Sequence, residues 1–193
     1  MAGISRVSFG DFFIGQGDMI YWDAISDYAT ATLASFKNGK SFGNIKEDTT
    51  SWTGEDITDT VIRNEQGNVI TTTSTAGTLA FEATLADMDN ALVKMLLKGK
   101  DITVSGLDAD WIAQEATATA VGFGVELPVI EVPIAVTNDA KNKTLIFPKA
   151  KIVSALTYED KMFAIKMSIT AQAVNTANLT TGMILNGALE YAA

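Results

Sequence analysis

The stretch spanning residues 145–174, LIFPKAKIVSALTYEDKMFAIKMSITAQAV, constrains the fold more than any other part of this chain. It reads as two long strands joined by a polar turn at residues 157–161. In the second strand Phe163, Ile165, Met167, Ile169 and Ala171 fall on one side. Ala164, Lys166, Ser168, Thr170 and Gln172 fall on the other. A period of two sustained over ten residues predicts a sheet with one buried and one wet face.

The rest of the chain repeats this theme. Residues 30–37, TATLASFK, read as a strand, followed by a polar, Gly-containing loop over 38–51 whose sizeable apolar anchors are Phe42 and Ile45. A loop of that length in a compact domain is usually functional or disordered. Residues 52–63 and the β-branched run 69–75 read as strands around the turn cluster at 64–68. Residues 78–85 alternate, with Leu79, Phe81, Ala83 and Leu85 on the apolar side. The pattern then changes to a helix over 86–98. Met88, Leu92, Met95 and Leu96 form one stripe, Asp87 or Asp89 caps the start, and Gly99 supplies the left-handed stop. Residues 102–104 and 116–121 are further strand candidates. Residues 129–137 form a strand that Pro133 confines to a sheet edge or a bulge. Residues 183–191 are a weak last strand. Many strands and one helix predict a mainly β fold, an antiparallel β-sandwich or barrel with one flanking α-helix. The division is residues 1–29 as an N-terminal arm or first strand, with the domain over 30–193.

The chemistry on offer is narrow. The chain has no Cys and no His, which removes disulfides, thiolate nucleophiles, the Ser–His dyad and most zinc sites. With 14 Lys and Arg against 23 Asp and Glu, the net charge is −9, which disfavours general nucleic-acid binding. No apolar run approaches the ~18 residues a spanning helix needs, so no membrane is expected. The first residues, MAGISRVSFGDFF, show no charged region followed by an apolar one, so no secretion signal is expected.

Short motifs resolve toward structure. Asn38-Gly-Lys-Ser41 has the end of a phosphate loop, but Ala34 stands where the first glycine belongs, so it reads as a turn. Gly122-Phe-Gly124 lacks the third glycine of a dinucleotide fingerprint. Asp87/Asp89 and Asp108/Asp110 lack the glycine and distal Glu of a calcium loop. No catalytic, cofactor or metal site is expected, and the chain is not read as an enzyme. A carboxylate-based hydrolase using Glu55 and Asp59 is the least favoured alternative. Charge is segregated, however. Residues 46–65 hold six acids against two bases, whereas residues 139–151 hold Lys141, Lys143, Lys149 and Lys151 against Asp139 alone. Such blocks can set register between subunits.

The order of elements resembles the major tail tube proteins of long-tailed bacteriophages, kin to contractile-tail and type VI secretion tubes. The likeness covers roughly residues 30–175. It rests on the strand and long polar loop at 30–51, the W-x-G-E-like strand at Trp52–Glu55, and the G-T-L-x-F-E strand at Gly77–Glu82 running into the helix. F-P-K-A-K at Phe147–Lys151 and the alternating strand at 162–172 complete it. The resemblance implies a structural virion protein, assembled in the host cytoplasm and located in the tail. Six subunits would form a ring whose inner sheets join into a β-barrel, and rings would stack into a hollow tube for genome passage. Tape-measure, tail terminator and baseplate proteins are the implied partners, and viral DNA would pass without specific binding. The long loop would reach a neighbouring subunit, making Lys40, Phe42, Ile45, Lys46, Glu47 and Asp48 candidate inter-subunit residues. Glu55, Asp56, Asp59 and Glu82 are the candidate lumen-facing acids, and the four lysines of 141–151 the candidate basic contact. Another virion β-protein, a tail terminator or capsid decoration protein, is the alternative.

Overall fold

The computed structural model describes residues 18–46, 49–54, 58–75, 77–86, 89–105, 117–159 and 161–189. The fold is mainly β, with antiparallel pairing throughout and, among the described residues, one α-helix. The dominant element is the hairpin of β10 (Lys143–Glu159) and β11 (Met162–Ala171), paired without interruption from Ala150–Ala171 to Glu159–Met162. The turn is tighter than 157–161, because the strands run on until Glu159 faces Met162 and Lys161 takes a left-handed φ of 66°. On β11, Ile165, Met167, Ile169 and Ala171 are buried, as the alternation predicts, whereas Phe163, expected on the buried side, is exposed and Ala164, expected on the wet side, is buried.

β6 (Ala80–Leu85) and then β3 (Ser51–Thr53) extend the sheet beyond β11. On the other side β10 pairs with β9 (Val129–Asn138), then β1 (Asp18–Tyr21) and β2 (Lys40–Ser41). The strand order is open and does not close as a barrel. The sheet nevertheless curls, because residues from both ends of that order share one core. Met19, Tyr21 and Phe42 cluster with Phe81, Leu85, Ile134, Phe147 and Ile165. A lone bridge from Ile45 to Leu85 carries the chain from one end of the strand order to the other.

Pro133 lies inside β9, between two paired neighbours. It is tolerated there because the β9–β10 register shifts between Phe147 and Ala150. Pro148 and Lys149 thus oppose Pro133 alone, and two residues lacking an N–H meet where the ladder is already broken. Past this bulge the other face of β10 gains a second cover. Ile20, Trp22, Ala135 and Ile146 pack there with Phe36, Met183, Leu185 and Leu189. This explains why the first half of β10 is apolar on both faces. β12 (Met183–Leu185) pairs with Thr144–Ile146. The Thr144 hydroxyl donates to Gly187 O at 2.7 Å and lies 3.0 Å from the Thr137 hydroxyl, which accepts from the Leu189 N–H. With the Ala188 N–H donating to Asn142 Oδ1 at 3.0 Å, the bonds to Gly187 and from Leu189 fasten the last described segment over the sheet.

Three expectations need correction. Residues 30–37 are not a strand; Leu33–Ser35 forms a 3-10 turn, closed by the Thr32 N–H donating to Ser35 Oγ at 3.1 Å. Local hydroxyl bonding of this kind outcompetes an otherwise weak alternation. Residues 52–63 are not one strand but two in different sheets, β3 and β4 (Thr58–Arg63). The helix α1 is shorter than 86–98, spanning Asn90–Leu96, with Leu92, Val93, Leu96 and Leu97 in the core. Asp89 occupies the N-cap position without a side-chain bond, and Asp87 and Met88 lie outside the described residues. The left-handed residue is Lys98 (φ 53°), followed by Gly99 N–H donating to Lys94 O at 3.0 Å. Gly99 has a different role, since a Cβ there would lie 2.7 Å from Val121 Cγ1.

Two further hairpins stand apart from the main sheet. One is β4 with β5 (Val69–Thr75); the other is β7 (Lys100–Ser105) with β8 (Thr117–Gly122). The second is tied to the body by Val121, which packs against the main core.

Candidate functional site

The surface most clearly built by the large sheet is its wet face. Directly paired residues share a face, so the register reads out its composition. One row runs Glu131, Lys151, Thr170, Ala80 and Thr53 across five strands. The next runs Val129, Val153, Ser168, Glu82 and Ser51. A third holds Ala155, Lys166 and Thr84. Apart from Val129 and Val153, the uncharged side chains are small or hydroxylic, and the charged ones largely answer each other. Lys166 Nζ lies 2.9 Å from Glu82 Oε2. Glu131 accepts from Gln172 Nε2 at 2.8 Å and lies 3.8 Å from Lys149 Nζ. The face is a polar wall with two acids and two bases in these rows.

The candidate acids therefore separate. Glu82 lies on this wall, neutralised by Lys166. Asp59 belongs to β4, which is not part of that sheet. Glu55 and Asp56 lie outside the described residues. The four lysines also split. Lys141 and Lys143 flank the β9–β10 turn, where Asn142 takes a left-handed φ of 51°. Lys149 sits at the bulge, over the Tyr28 ring and beside Glu131. Lys151 is on the wall directly opposite Glu131.

The loop over 38–51 is pinned to the body. Phe42 has 0% exposure and its ring lies 4.6 Å from that of Tyr21. Phe42 N–H donates to Met19 O, Lys46 N–H to Thr84 O, and Ala86 N–H to Asn44 O. Ile45 packs against the same core. Lys40 Nζ sits 3.0 Å from Asp23 Oδ1, a bond that raises its pKa, with the Asp23 charge adding to the effect. Glu47 and Asp48 lie outside the described residues. The Asn38-Gly39 turn is as expected, with Asn38 at φ 55° and Gly39 packed against Ile20 and Trp22.

The freely presented element is the β4–β5 arm, which the sequence reading treated as ordinary strand. Val61 and Ile62 are adjacent and both exposed, as are Val69 and Ile70. Neighbours in a strand point to opposite faces, so neither face of the arm is covered. Two adjacent exposed aliphatics on each strand were the available signal. A half-buried strand would have alternated. The end of the β10–β11 hairpin is similar: Tyr158 and Phe163 are a cross-strand pair, exposed, with ring centroids 5.0 Å apart.

Among the described residues no group of carboxylates is placed to hold a metal ion, and no helix is long and apolar enough to cross a membrane. The sequence matches no protein-family model and no curated protein.

Proposed function

We propose that this chain is a structural subunit that assembles with copies of itself into stacked hexameric rings, forming the hollow tail tube of a long-tailed bacteriophage. The observation that carries the reading is the pairing of a broad polar wall with a hairpin arm whose Val61, Ile62, Val69 and Ile70 are left exposed. A two-stranded hairpin alone in water is marginal at best, so an arm exposed on both faces is best explained by a partner that covers it. A wall of mostly small and hydroxylic side chains, with as many acids as bases in its rows, suits a lumen through which DNA slides, since tight phosphate binding needs uncompensated Lys and Arg. In this reading the wall over β9, β10, β11, β6 and β3 joins its neighbours' walls around the ring, which removes open sheet edges. Glu82 is then a lumen residue whose charge Lys166 offsets, and Asp59 belongs to the arm. Tape-measure, terminator and baseplate proteins are its partners.

Electron microscopy of the purified protein, with and without a tape-measure-like initiator, tests the reading. Hollow rings or tubes with a regular axial repeat are expected. A protein that remains monomeric at high concentration in both conditions would refute it.

A further inference from the structure

The chain contains two Asn–Gly pairs, Asn38-Gly39 and Asn186-Gly187. In such a pair the glycine nitrogen can reach the asparagine side-chain carbonyl carbon, because no Cβ on the glycine obstructs the approach. The backbone decides whether it does so, and the fold sets the two pairs apart. Asn38 is held closed. Its φ of 55° is in the left-handed region, where ψ is about +47° and the next nitrogen points away from the residue's own Cβ. Rotation out of that state is blocked as well. Gly39 is buried, and a Cβ there would lie 2.6 Å from Ile20 Cγ2 and 3.2 Å from Trp22 Nε1. Both of those side chains are in the core cluster on the second face of β10.

Asn186 carries none of these restraints. It is exposed, directly after β12, and its φ is not positive. Among the described residues neither its side chain nor the Gly187 N–H takes a hydrogen bond. A Cβ on Gly187 would meet nothing nearer than Leu185 Cγ at 4.0 Å, so the peptide has room to turn. The pair also sits at a seam. On one side Leu185 pairs with Thr144. On the other, the Gly187 carbonyl accepts from Thr144 Oγ1, the Ala188 N–H donates to Asn142 Oδ1 and the Leu189 N–H donates to Thr137 Oγ1. Both sets of bonds are met only if the backbone between them has its ordinary length. Met183, Leu185 and Leu189 meanwhile cover Ile20, Trp22, Ala135 and Ile146.

We propose that Asn186-Gly187 is a self-modification site whose conversion to isoaspartate releases the closing segment from the second face of β10. The Gly187 nitrogen gives up its proton and bonds to Asn186 Cγ, and ammonia leaves. Water then opens the resulting cyclic imide at one of its two carbonyls, giving aspartate or isoaspartate with no change of oxidation state. In the isoaspartate product the main chain runs through the former side chain, which adds one methylene between Leu185 and Gly187. The segment can then keep the β12 pairing or the bonds at Gly187, Ala188 and Leu189, but not both. This does not depend on the tube reading.

The test is made on the purified chain below its assembly concentration, aged at mildly alkaline pH and followed by peptide mapping and amide hydrogen exchange. Isoaspartate should accumulate at 186 while 38 stays asparagine, and in urea 38 should convert too. Gly187→Ala fits without a clash and should slow conversion at 186 roughly threefold or more, since its Cβ hinders ring closure. In the aged parent, exchange at Ala188 and Leu189 should rise before that of β10 and β11. Asn186→Asp adds the charge without the methylene and should keep the fresh parent's exchange. Conversion at 38 as fast as at 186 in the folded chain overturns the proposal. So does an aged chain, isoaspartate at 186, whose exchange at Ala188 and Leu189 is unchanged, or equal loosening in Asn186→Asp. None of these results bears on whether the chain forms tubes.

Discussion

Phe42→Ala tests whether the 38–51 segment is a structural pin. The ring is fully buried, 4.6 Å from the Tyr21 ring, in the cluster that also holds Phe81, Leu85 and Ile165. Removing a fully buried Phe side chain costs about 3–5 kcal/mol, combining lost transfer energy with the cavity left behind. Loss of the tilted ring contact is part of that figure. Phe42 also sits between the bond to Met19 and the bridge from Ile45 to Leu85, so the surroundings cannot collapse freely into the gap. A value in the upper half of the range, about 4 kcal/mol, is expected. In urea, with a slope of about 2 kcal/mol per M, the midpoint should fall by about 2 M. The measurement is made below the assembly concentration, by tryptophan fluorescence and far-UV circular dichroism together. Phe123→Ala is the control, because that ring is half exposed in a loop and its loss should cost about 0.5 kcal/mol or less. A Phe42→Ala midpoint within about 0.2 M of the parent would refute the reasoning, since a freely reaching loop loses nothing with its ring. For the same reason, deleting residues 40–49 should unfold the sheet and not merely block assembly.

Other outcomes follow from the same contacts. Lys98→Gly should stabilise the fold by up to about 1 kcal/mol in thermal melts, because Lys98 is held at a positive φ that glycine adopts freely. Gly99→Ala should destabilise it, since the new methyl meets Val121 and the Lys94 backbone. Thr144→Val should cost about 1–3 kcal/mol by stranding the Gly187 carbonyl. It should also speed hydrogen exchange at Leu189 before any other part of the sheet responds. The Lys100 ammonium holds the Glu126 carboxyl below its usual pKa, first by a hydrogen bond and then by charge. Lys100→Gln should therefore return that carboxyl to its ordinary range in an NMR titration. In the parent the contact is complete above the ordinary carboxylate pKa and is lost as pH falls through the depressed value.

Legibility along the chain followed how local each interaction is. The β10–β11 hairpin and β6 were readable because one buried face imposes a period of two on residues close in sequence, whereas β9, covered on both faces past the bulge, reads as an apolar run. The strands of residues 102–104 and 116–121 also stand, as β7 and β8. Residues 30–37 misled because Thr32 and Ser35 satisfy each other locally, and residues 52–63 because composition does not reveal when two adjacent strands enter different sheets. The helix boundaries slipped because the stop is set by Lys98 in a conformation that sequence assigns to glycine. At the wall, Glu82 was identifiable as a wet-face residue, but its neutralisation by Lys166 depends on the pairing of β6 with β11.

Sequence alone thus determined the class of fold, the faces of its long strands and the narrow range of chemistry open to a chain without His or Cys. Each of these is a property of residue type and short-range spacing. Only the tertiary structure decided that Phe42 is core and not contact surface. It also decided that Pro133 is central yet harmless at a bulge. Those outcomes depend on which distant segments pair and in what register, and a period of two is the same for every partner a strand could choose.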